Sequence, residues 1–298
     1  MPQRYSSQTF IDASARLDEA CAWLAGLGIS HSPTRVGRYQ KIFSDLARHQ
    51  AAGTFERFFE KHSLGDLANA AHEVAEVVRI YDGLARSSDP HLAGRLRLAI
   101  RGHELHVLDD DARSGRDFSF ELLVASKVER AGLQVDFGHQ ADLRTEFEGF
   151  EFFLECKRPR SAAQVQARIK EGLKQLHRRF AASARPDLAR GLLAINISKL
   201  VNAKFGVLRA ADSATLGRTA GAYTHKFIDD YGAIWQSGTD SRILGALVTF
   251  DVVGIVGPTE KLETCHDAGM SNSVPLQSEA YDLLHRFGTK AFTVAQYE

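Results

Sequence analysis

Apolar and polar residues alternate most regularly from Ala141 to Lys157, and this pattern predicts two β-strands joined by a tight turn. With Glu148-Gly149 as the turn, Asp142 faces Glu155 across the hairpin. One face is apolar apart from a threonine and consists of Leu143, Thr145, Phe147, Phe150, Phe152, Leu154 and Cys156. The opposite face consists of Asp142, Arg144, Glu146, Glu151, Phe153, Glu155 and Lys157. The first face therefore predicts contact with a core, and the second predicts polar surroundings.

From residue 10 to about residue 106, apolar residues recur at helical spacing instead. Predicted helices begin near residues 10, 32 and 64, and Asp89-Pro90 has the form of a start for a fourth. The histidines of this region are scattered and show no catalytic spacing. We interpret residues 1–112 as an all-α N-terminal domain for packing, dimerisation or substrate contact. The acidic, turn-rich stretch from Asp109 to Gly115 predicts the boundary, and its aspartates are expected in a solvated loop.

The second part of the chain, residues 113–298, alternates between helical and strand patterns. A helix is predicted from Asp117 to Gly132 and a short strand from Leu133 to Phe137, before the hairpin. The elements predicted after the hairpin are a helix opened by a capping box at Ser161–Gln164, a buried strand from Gly191 with cover on both faces, a helix at about 218–235, a strand at about 243–253, a helix at about 276–287 and a last strand at about 290–294. This order predicts an α/β fold with a mixed sheet.

The composition is that of an ordinary globular protein, with 44% hydrophobic and 25% charged residues. The 37 basic and 37 acidic residues cancel, so any surface for nucleic acid must be local. Three widely spaced cysteines favour a reducing compartment over a disulfide framework or a zinc site. The N-terminus lacks the apolar segment of a signal peptide, and the longest apolar run, residues 243–250, is too short for a membrane span. We therefore expect a cytoplasmic protein with no membrane partner.

Two acids and one lysine share an end of the hairpin's polar face. Directly opposed residues have Cβ atoms roughly 5 Å apart, and like charges there are destabilising. Asp142 and Glu155 therefore need a cation between them, and Lys157 points the same way. Mg²⁺ is commonly held by one or two carboxylates together with waters and phosphate oxygens. These residues suit phosphodiester hydrolysis, in which the acids would be metal ligands and the lysine would act on the attacking water or the pentavalent phosphate.

An acid upstream and a basic helix downstream extend this candidate site. Glu121 lies in an apolar helical segment with no cation three or four residues later, so it turns to solvent or faces a metal or a basic partner. Between Lys157 and Arg190, ten Lys and Arg residues stand against two acids. A solvated helix face alone explains such a run, but its position after the carboxylates favours a polyanion. The candidate nucleic-acid contacts are Arg158, Arg160, Arg168, Lys174 and Arg178.

The order of these residues resembles the PD-(D/E)xK nuclease superfamily. Asp142 is followed, after twelve residues, by Glu155-Cys156-Lys157, and Glu121 matches the helix acid that many members carry. The resemblance covers roughly residues 115–200, and Ala141 stands where the motif has a proline.

The resemblance implies a restriction-endonuclease-like fold, a mixed β-sheet core flanked by helices, over residues 113–298. It implies that Cys156 supplies its backbone carbonyl as a third metal ligand and that Glu121 binds the metal or helps to hold a second one. Some members carry a glutamine and a tyrosine on the next helix. Gln175 matches the glutamine, whereas Arg179 stands in the place of the tyrosine.

We expect from this resemblance a Mg²⁺-dependent endonuclease, with Mn²⁺ as a substitute. DNA is preferred over RNA as its partner because the sequence has no RNA-binding signature. Analogy with the fold suggests a role in prokaryotic defence or repair. Two alternatives stay open: a catalytically inactive nucleic-acid-binding or scaffold protein on the same fold, and an RNase. Cutting both strands of a duplex takes two sites, so a homodimer is also left open.

Overall fold

The computed structural model describes residues 4–6, 10–103, 115–204, 206–237, 240–257 and 261–292. In these residues, helices cover both faces of a mixed, eight-stranded β-sheet. The predicted α/β class is therefore confirmed. The predicted boundary near residue 112 and the aspartates at 109–111 lie outside the described residues.

The N-terminal part is helical apart from one short strand. Its elements are β1 Arg4–Ser6, α1 Phe10–Gly26, α2 Arg35–Ala51, α3 Phe55–Phe58, α4 Leu64–Leu84 and α5 Leu92–Ala99. The elements that follow are α6 Gly115–Arg130, β2 Val135–Asp136, β3 Leu143–Phe147, β4 Phe150–Lys157, α7 Ala162–Ala182, β5 Ala189–Asn196, α8 Ser198–Val201, β6 Leu208–Ala210, α9 Ser213–Tyr231, α10 Ala233–Gln236, β7 Ile243–Val256, β8 Lys261–Asn272 and α11 Glu279–Phe292.

The strands lie in the order β1-β8-β7-β5-β4-β3-β2, and β6 pairs with β7 beside this row. The central strands β4, β5 and β7 are parallel neighbours, and the flanking pairs of the row are antiparallel. All but one residue of β5 are buried, which confirms the predicted cover on both faces. A parallel strand between two helical layers has no solvent-facing side, and its sequence is correspondingly apolar.

The hairpin of β3 and β4 has the predicted register, in which Leu143 pairs with Leu154. Glu148 and Gly149 have φ angles of 50° and 80°, as the two-residue turn that suits a hairpin requires. The apolar face packs, as predicted, into a core shared with α6, α11 and the N-terminal helices.

The second face of the hairpin lies in polar surroundings over only part of its length, so that prediction holds only in part. Asp142, Arg144 and Glu146 are partly or fully exposed, and the rest of the face is buried. Phe153 and Glu155 are fully buried, and Glu151 is 5% exposed. α7 packs across this face, where Phe153 joins a second apolar core with residues of α7 and α9. On the same face, Arg144 Nε donates a hydrogen bond to Glu151 Oε1 at 2.5 Å. Alternation along a strand shows which residues share a face, but not whether a helix lies above it.

Local predictions at three elements differ from the structure. α11 continues to residue 292, so the strand predicted at about 290–294 is wrong for residues 290–292, and residues 293–294 lie outside the described ranges. No pattern predicts β8, because it carries polar residues on both faces, His266 on one and Glu263 on the other. α7 begins as predicted but without the capping box, since Gln164 accepts the backbone N–H of Arg160.

The N-terminal helices pack directly on α6 and on the sheet. One apolar cluster joins residues of α1, α2 and α4 with residues of α6, β3 and β4. Glu73 of α4 lies between Arg35 of α2 and Arg116 of α6, and all three residues are at most 3% exposed. Arg116 stands in the first turn of the helix that carries Glu121, so this ion-pair network helps to place that acid.

All three cysteines lie in described ranges and carry free thiols. No helix of the described ranges combines the length and the apolarity that crossing a bilayer needs.

We expect Glu73→Gln to lower the free energy of unfolding by about 3–5 kcal/mol, because two buried guanidinium groups lose their shared negative charge. Urea denaturation followed by circular dichroism measures the loss. The matched control is Glu19→Gln, which removes one acid of an exposed pair with Arg16 and should cost less than ~1 kcal/mol. Equal losses in the two variants would contradict the role of the buried network.

Candidate active site

The predicted acids and lysine converge at the carboxyl end of β4. This strand ends at Lys157, between β3 and β5, with α6 on one side of the sheet and α7 on the other. In open α/β sheets, ligand crevices form outside the carboxyl ends of the strands. The position is therefore one at which the fold itself favours a site.

Lys157 stands between the two acids of the hairpin. Its Nζ lies 3.6 Å from Asp142 Oδ2 and 3.6 Å from Glu155 Oε2. Strand pairing stops at Leu143, one residue short of the predicted pairing of the acids. Asp142 Oδ2 instead accepts the backbone N–H of Cys156 at 2.7 Å. The structure thus brings the three residues together, with the ammonium group between the carboxylates.

Glu155 is fully buried, and only one of its carboxylate oxygens is hydrogen-bonded. Oε1 accepts a hydrogen bond from Arg179 Nε at 2.9 Å, whereas Oε2 has no hydrogen-bond partner among the described residues. Burial and the charge of Asp142 raise the pKa of Glu155 to about 7, and Lys157 and Arg179 offset part of this rise. A buried acceptor without a hydrogen bond is costly. The ammonium group of Lys157, 3.6 Å from Oε2, offsets part of this cost, and a proton or a further cation at Oε2 would offset more.

Glu121 lies beside these acids on α6, and its partner is basic. Its Oε2 accepts a hydrogen bond from Arg95 Nη1 of α5 at 2.9 Å. Burial and the charge of Asp142 raise the pKa of Glu121 to about 8, while Arg95 and Lys157 act in the opposite direction. The sequence left solvent, a metal or a basic partner open for this acid. It did not identify Arg95, because the two residues are 26 positions apart and meet only through helix packing.

α7 turns three residues of one helix face toward this end of the sheet: Gly172, Gln175 and Arg179. A Cβ atom at Gly172 would lie 2.6 Å from Leu193 Cδ2 and 3.3 Å from Lys157 Cε, so glycine lets the helix approach the lysine. Gln175 Oε1 is buried and has no hydrogen-bond partner in the described part of the chain.

Arg179 is, with Arg95, a residue of this site that sequence reasoning missed. The resemblance marks it only as a departure from tyrosine, yet it binds Glu155. The two residues are 24 positions apart, and no local spacing connects a helix residue with a strand residue at that separation.

The five basic candidates divide into two groups. Arg158 and Arg160 point to Asp117 at the start of α6, at 3.9 Å and 3.0 Å, and their side chains are only 6% and 11% exposed. The other three lie along α7: Arg168 pairs with the nearby Glu171 at 2.9 Å, and Lys174 and Arg178 are exposed. The structure therefore joins the first group to α6 and leaves the second group at the surface.

The residues present can be tested against the Mg²⁺ ion that the resemblance implies. In the described ranges, no group of three or more His, Cys, Asp or Glu side chains is arranged to hold a metal ion. A Mg²⁺ site needs fewer protein ligands than that, since one or two carboxylates suffice beside water and phosphate. Asp142 and Glu155 Oε2, which has no hydrogen bond from the described residues, fit this requirement. The Cys156 carbonyl accepts a hydrogen bond from Lys157 Nζ at 3.0 Å, which leaves its second lone pair for a metal.

Comparison with known proteins finds no matching family model, no matching curated protein and no matching solved structure.

The raised pKa values of the two buried glutamates predict how stability depends on pH. Between about pH 5 and pH 8 the folded protein keeps protons on Glu155 and Glu121 that the unfolded chain, with values near 4.5, has released. The free energy of unfolding of the metal-free protein should therefore fall by several kcal/mol as pH rises through this interval. Denaturation curves in EDTA at several pH values measure this slope.

Glu155→Gln should flatten the slope and stabilise the metal-free protein at pH 8, whereas Glu60→Gln, at an exposed position, should keep the wild-type slope. If the slope is unchanged in Glu155→Gln, burial does not raise the pKa of Glu155 in the way stated above.

Proposed function

We propose that this chain is a Mg²⁺-dependent endonuclease of the PD-(D/E)xK type, which hydrolyses phosphodiester bonds and prefers DNA. The observation that carries the proposal is Glu155 Oε2, a buried carboxylate oxygen that lies beside Asp142 and Lys157 and receives no hydrogen bond from the described part of the chain. A protein that only binds nucleic acid has no need to bury such an oxygen next to a second acid. The hairpin, the following helix and the parallel strand β5 support the restriction-endonuclease-like reading of the fold.

In this proposal each residue of the site has a separate task. Asp142 and Glu155 would hold Mg²⁺, which supplies positive charge at the phosphate and lowers the pKa of water when bound. Lys157 would orient that water or stabilise the charge that develops on the phosphate oxygens. Glu121 would bind the ion directly or through water, and Gln175 would donate a hydrogen bond from its amide NH2 group to the substrate backbone.

The exposed side of α7 would guide the polyanion toward this site. Lys174 and Arg178 are exposed there, with Arg168 on the same helix. Because cations at the surface bind the phosphate backbone without reading its sequence, this helix supplies affinity rather than specificity. Arg158 and Arg160 would act indirectly in this scheme, by holding α6 through Asp117.

The cellular setting of the proposal is prokaryotic defence or repair in the cytoplasm, by analogy with the fold. A homodimer would supply the two sites that cleavage of both strands of a duplex takes.

Cleavage of plasmid DNA with Mg²⁺ or Mn²⁺, resolved on gels, tests the reaction. We expect the wild-type protein to nick or cut DNA, and EDTA to abolish the reaction. Lys157→Ala and Asp142→Asn should each lower the rate by about 100-fold or more, because charge stabilisation and metal binding are lost. The matched control is Lys226→Ala on the exposed side of α9, where the lysine pairs with Asp230, and it should keep the wild-type rate.

Each other outcome of this experiment identifies a different function. Cleavage that persists in EDTA or in Lys157→Ala would exclude the mechanism. Cleavage of RNA but not of DNA would make the protein an RNase, and binding without cleavage of either would make it a binding or scaffold protein.

The double variant Lys174→Ala/Arg178→Ala should weaken DNA binding uniformly across sequences. Two phosphate contacts contribute about 1.8 to the slope of log K against log salt concentration, so the slope should decrease by about that amount. Fluorescence anisotropy in EDTA, at several salt concentrations, measures both quantities. An unchanged slope would place the nucleic-acid path elsewhere on the surface.

A further inference from the structure

Arg179 connects the two chain segments that carry the acids. Its Nε donates a hydrogen bond to Glu155 Oε1 at 2.9 Å, and its Nη1 donates to Gln140 Oε1 at 3.4 Å. Gln140 lies two residues before Asp142, in the segment that leads into β3. One guanidinium group on α7 therefore links the end of β4 to the start of β3.

The segment from Gln140 to Asp142 is held firmly enough for this link to matter. Ala141 is fully buried, and its N–H donates to His139 Nδ1 at 3.2 Å. The imidazole ring of His139 packs against Phe153, with ring centroids 5.2 Å apart. Because His139 and Ala141 hold the backbone on either side of Gln140, the contact between Arg179 and Gln140 also restrains the position of Asp142.

The pair of Arg179 and Glu155 lies away from solvent. The arginine side chain is 14% exposed and the carboxylate is fully buried, so water screens their interaction only weakly. A guanidinium group presents its donors in one rigid plane, and this plane fixes both partners relative to each other. Since Oε1 is occupied by Arg179, Oε2 is the oxygen turned toward Lys157, whose Nζ lies 3.6 Å away.

We propose that Arg179 is a positioning residue, which aims Glu155 Oε2 and Asp142 at one cation-binding position without touching cation or substrate itself. This inference rests on the proposed function of the site. Some residues hydrogen-bond a metal-binding carboxylate without binding the metal themselves. Loss of such a residue lowers metal affinity by about 10–100-fold. A lysine at this place keeps the positive charge but cannot offer two donors in one plane.

The test uses the full chain and compares Arg179→Lys with the wild type in three measurements. Titration with Mn²⁺ alone, by calorimetry or electron paramagnetic resonance, should show a dissociation constant raised about 10-fold or more. Thermal unfolding in EDTA should keep its midpoint within about 3 °C, since the buried charge pair is retained. DNA affinity in EDTA should be unchanged.

Two further variants make the expectation specific. Gln140→Ala removes the hydrogen bond between Arg179 and Gln140. Because Gln140 is exposed, the substitution should leave folding unaffected and raise the Mn²⁺ dissociation constant several-fold. Its effect should be largely absent in an Arg179→Lys background, because both substitutions break the same link. Arg178→Ala, the exposed neighbour, should show the reverse pattern, with weaker DNA binding and unchanged Mn²⁺ affinity.

Several results would overturn the inference. Wild-type Mn²⁺ affinity in both Arg179→Lys and Gln140→Ala would remove the positioning role. Loss of metal-free DNA affinity in Arg179→Lys would make this arginine a phosphate contact instead. A wild-type protein that binds Mn²⁺ and cleaves DNA, with unaffected variants, would exclude only the role of Arg179. A wild-type protein that binds no Mn²⁺ would exclude the proposed function itself.

Discussion

A carboxylate with no exposure to solvent, Glu155, is the constraint around which this part of the structure is arranged. Burying an acid is costly unless cations and hydrogen-bond donors lie close to it. Lys157 and Arg179 meet this requirement from two elements, β4 itself and α7 above it. α7 can come this close because Gly172 leaves room for Leu193 of β5 and for the stem of Lys157. The second oxygen of the acid receives no hydrogen bond from the residues that the structure describes and has the Lys157 ammonium group 3.6 Å away.

The N-terminal helices contribute to the same site through ion pairs. Arg95 of α5 holds Glu121. The buried contact of Glu73 with Arg116 ties α4 to the first turn of α6, the helix on which Glu121 lies. These pairs are mostly shielded from water, so breaking one of them leaves an uncompensated charge inside the protein. The helical layer is therefore part of the electrostatic surroundings of the acids, beyond any role it has in contacting a substrate.

Local sequence signals predicted well wherever one residue constrains its neighbours. The Glu148-Gly149 turn and the alternation on both sides of it led to the correct register of β3 and β4. The apolar run of β5 led to a strand covered on both faces. Signals failed where distant elements decide the outcome. β8 carries His266 against one layer and Glu263 against the other, so neither face of this strand looks like a core in sequence. Arg158, a candidate nucleic-acid contact in the basic run, points to Asp117.

The amino-acid sequence by itself determined the α/β class, the hairpin register and the grouping of Asp142, Glu155 and Lys157, because turn chemistry and the two-residue period of a strand are local properties. Only the tertiary structure decided which partner each charge receives. Glu155 is buried under α7 and paired with Arg179, and Glu121 is paired with a residue of α5. These choices depend on how helices pack over the sheet, and packing brings together residues whose separation along the chain carries no periodic signal.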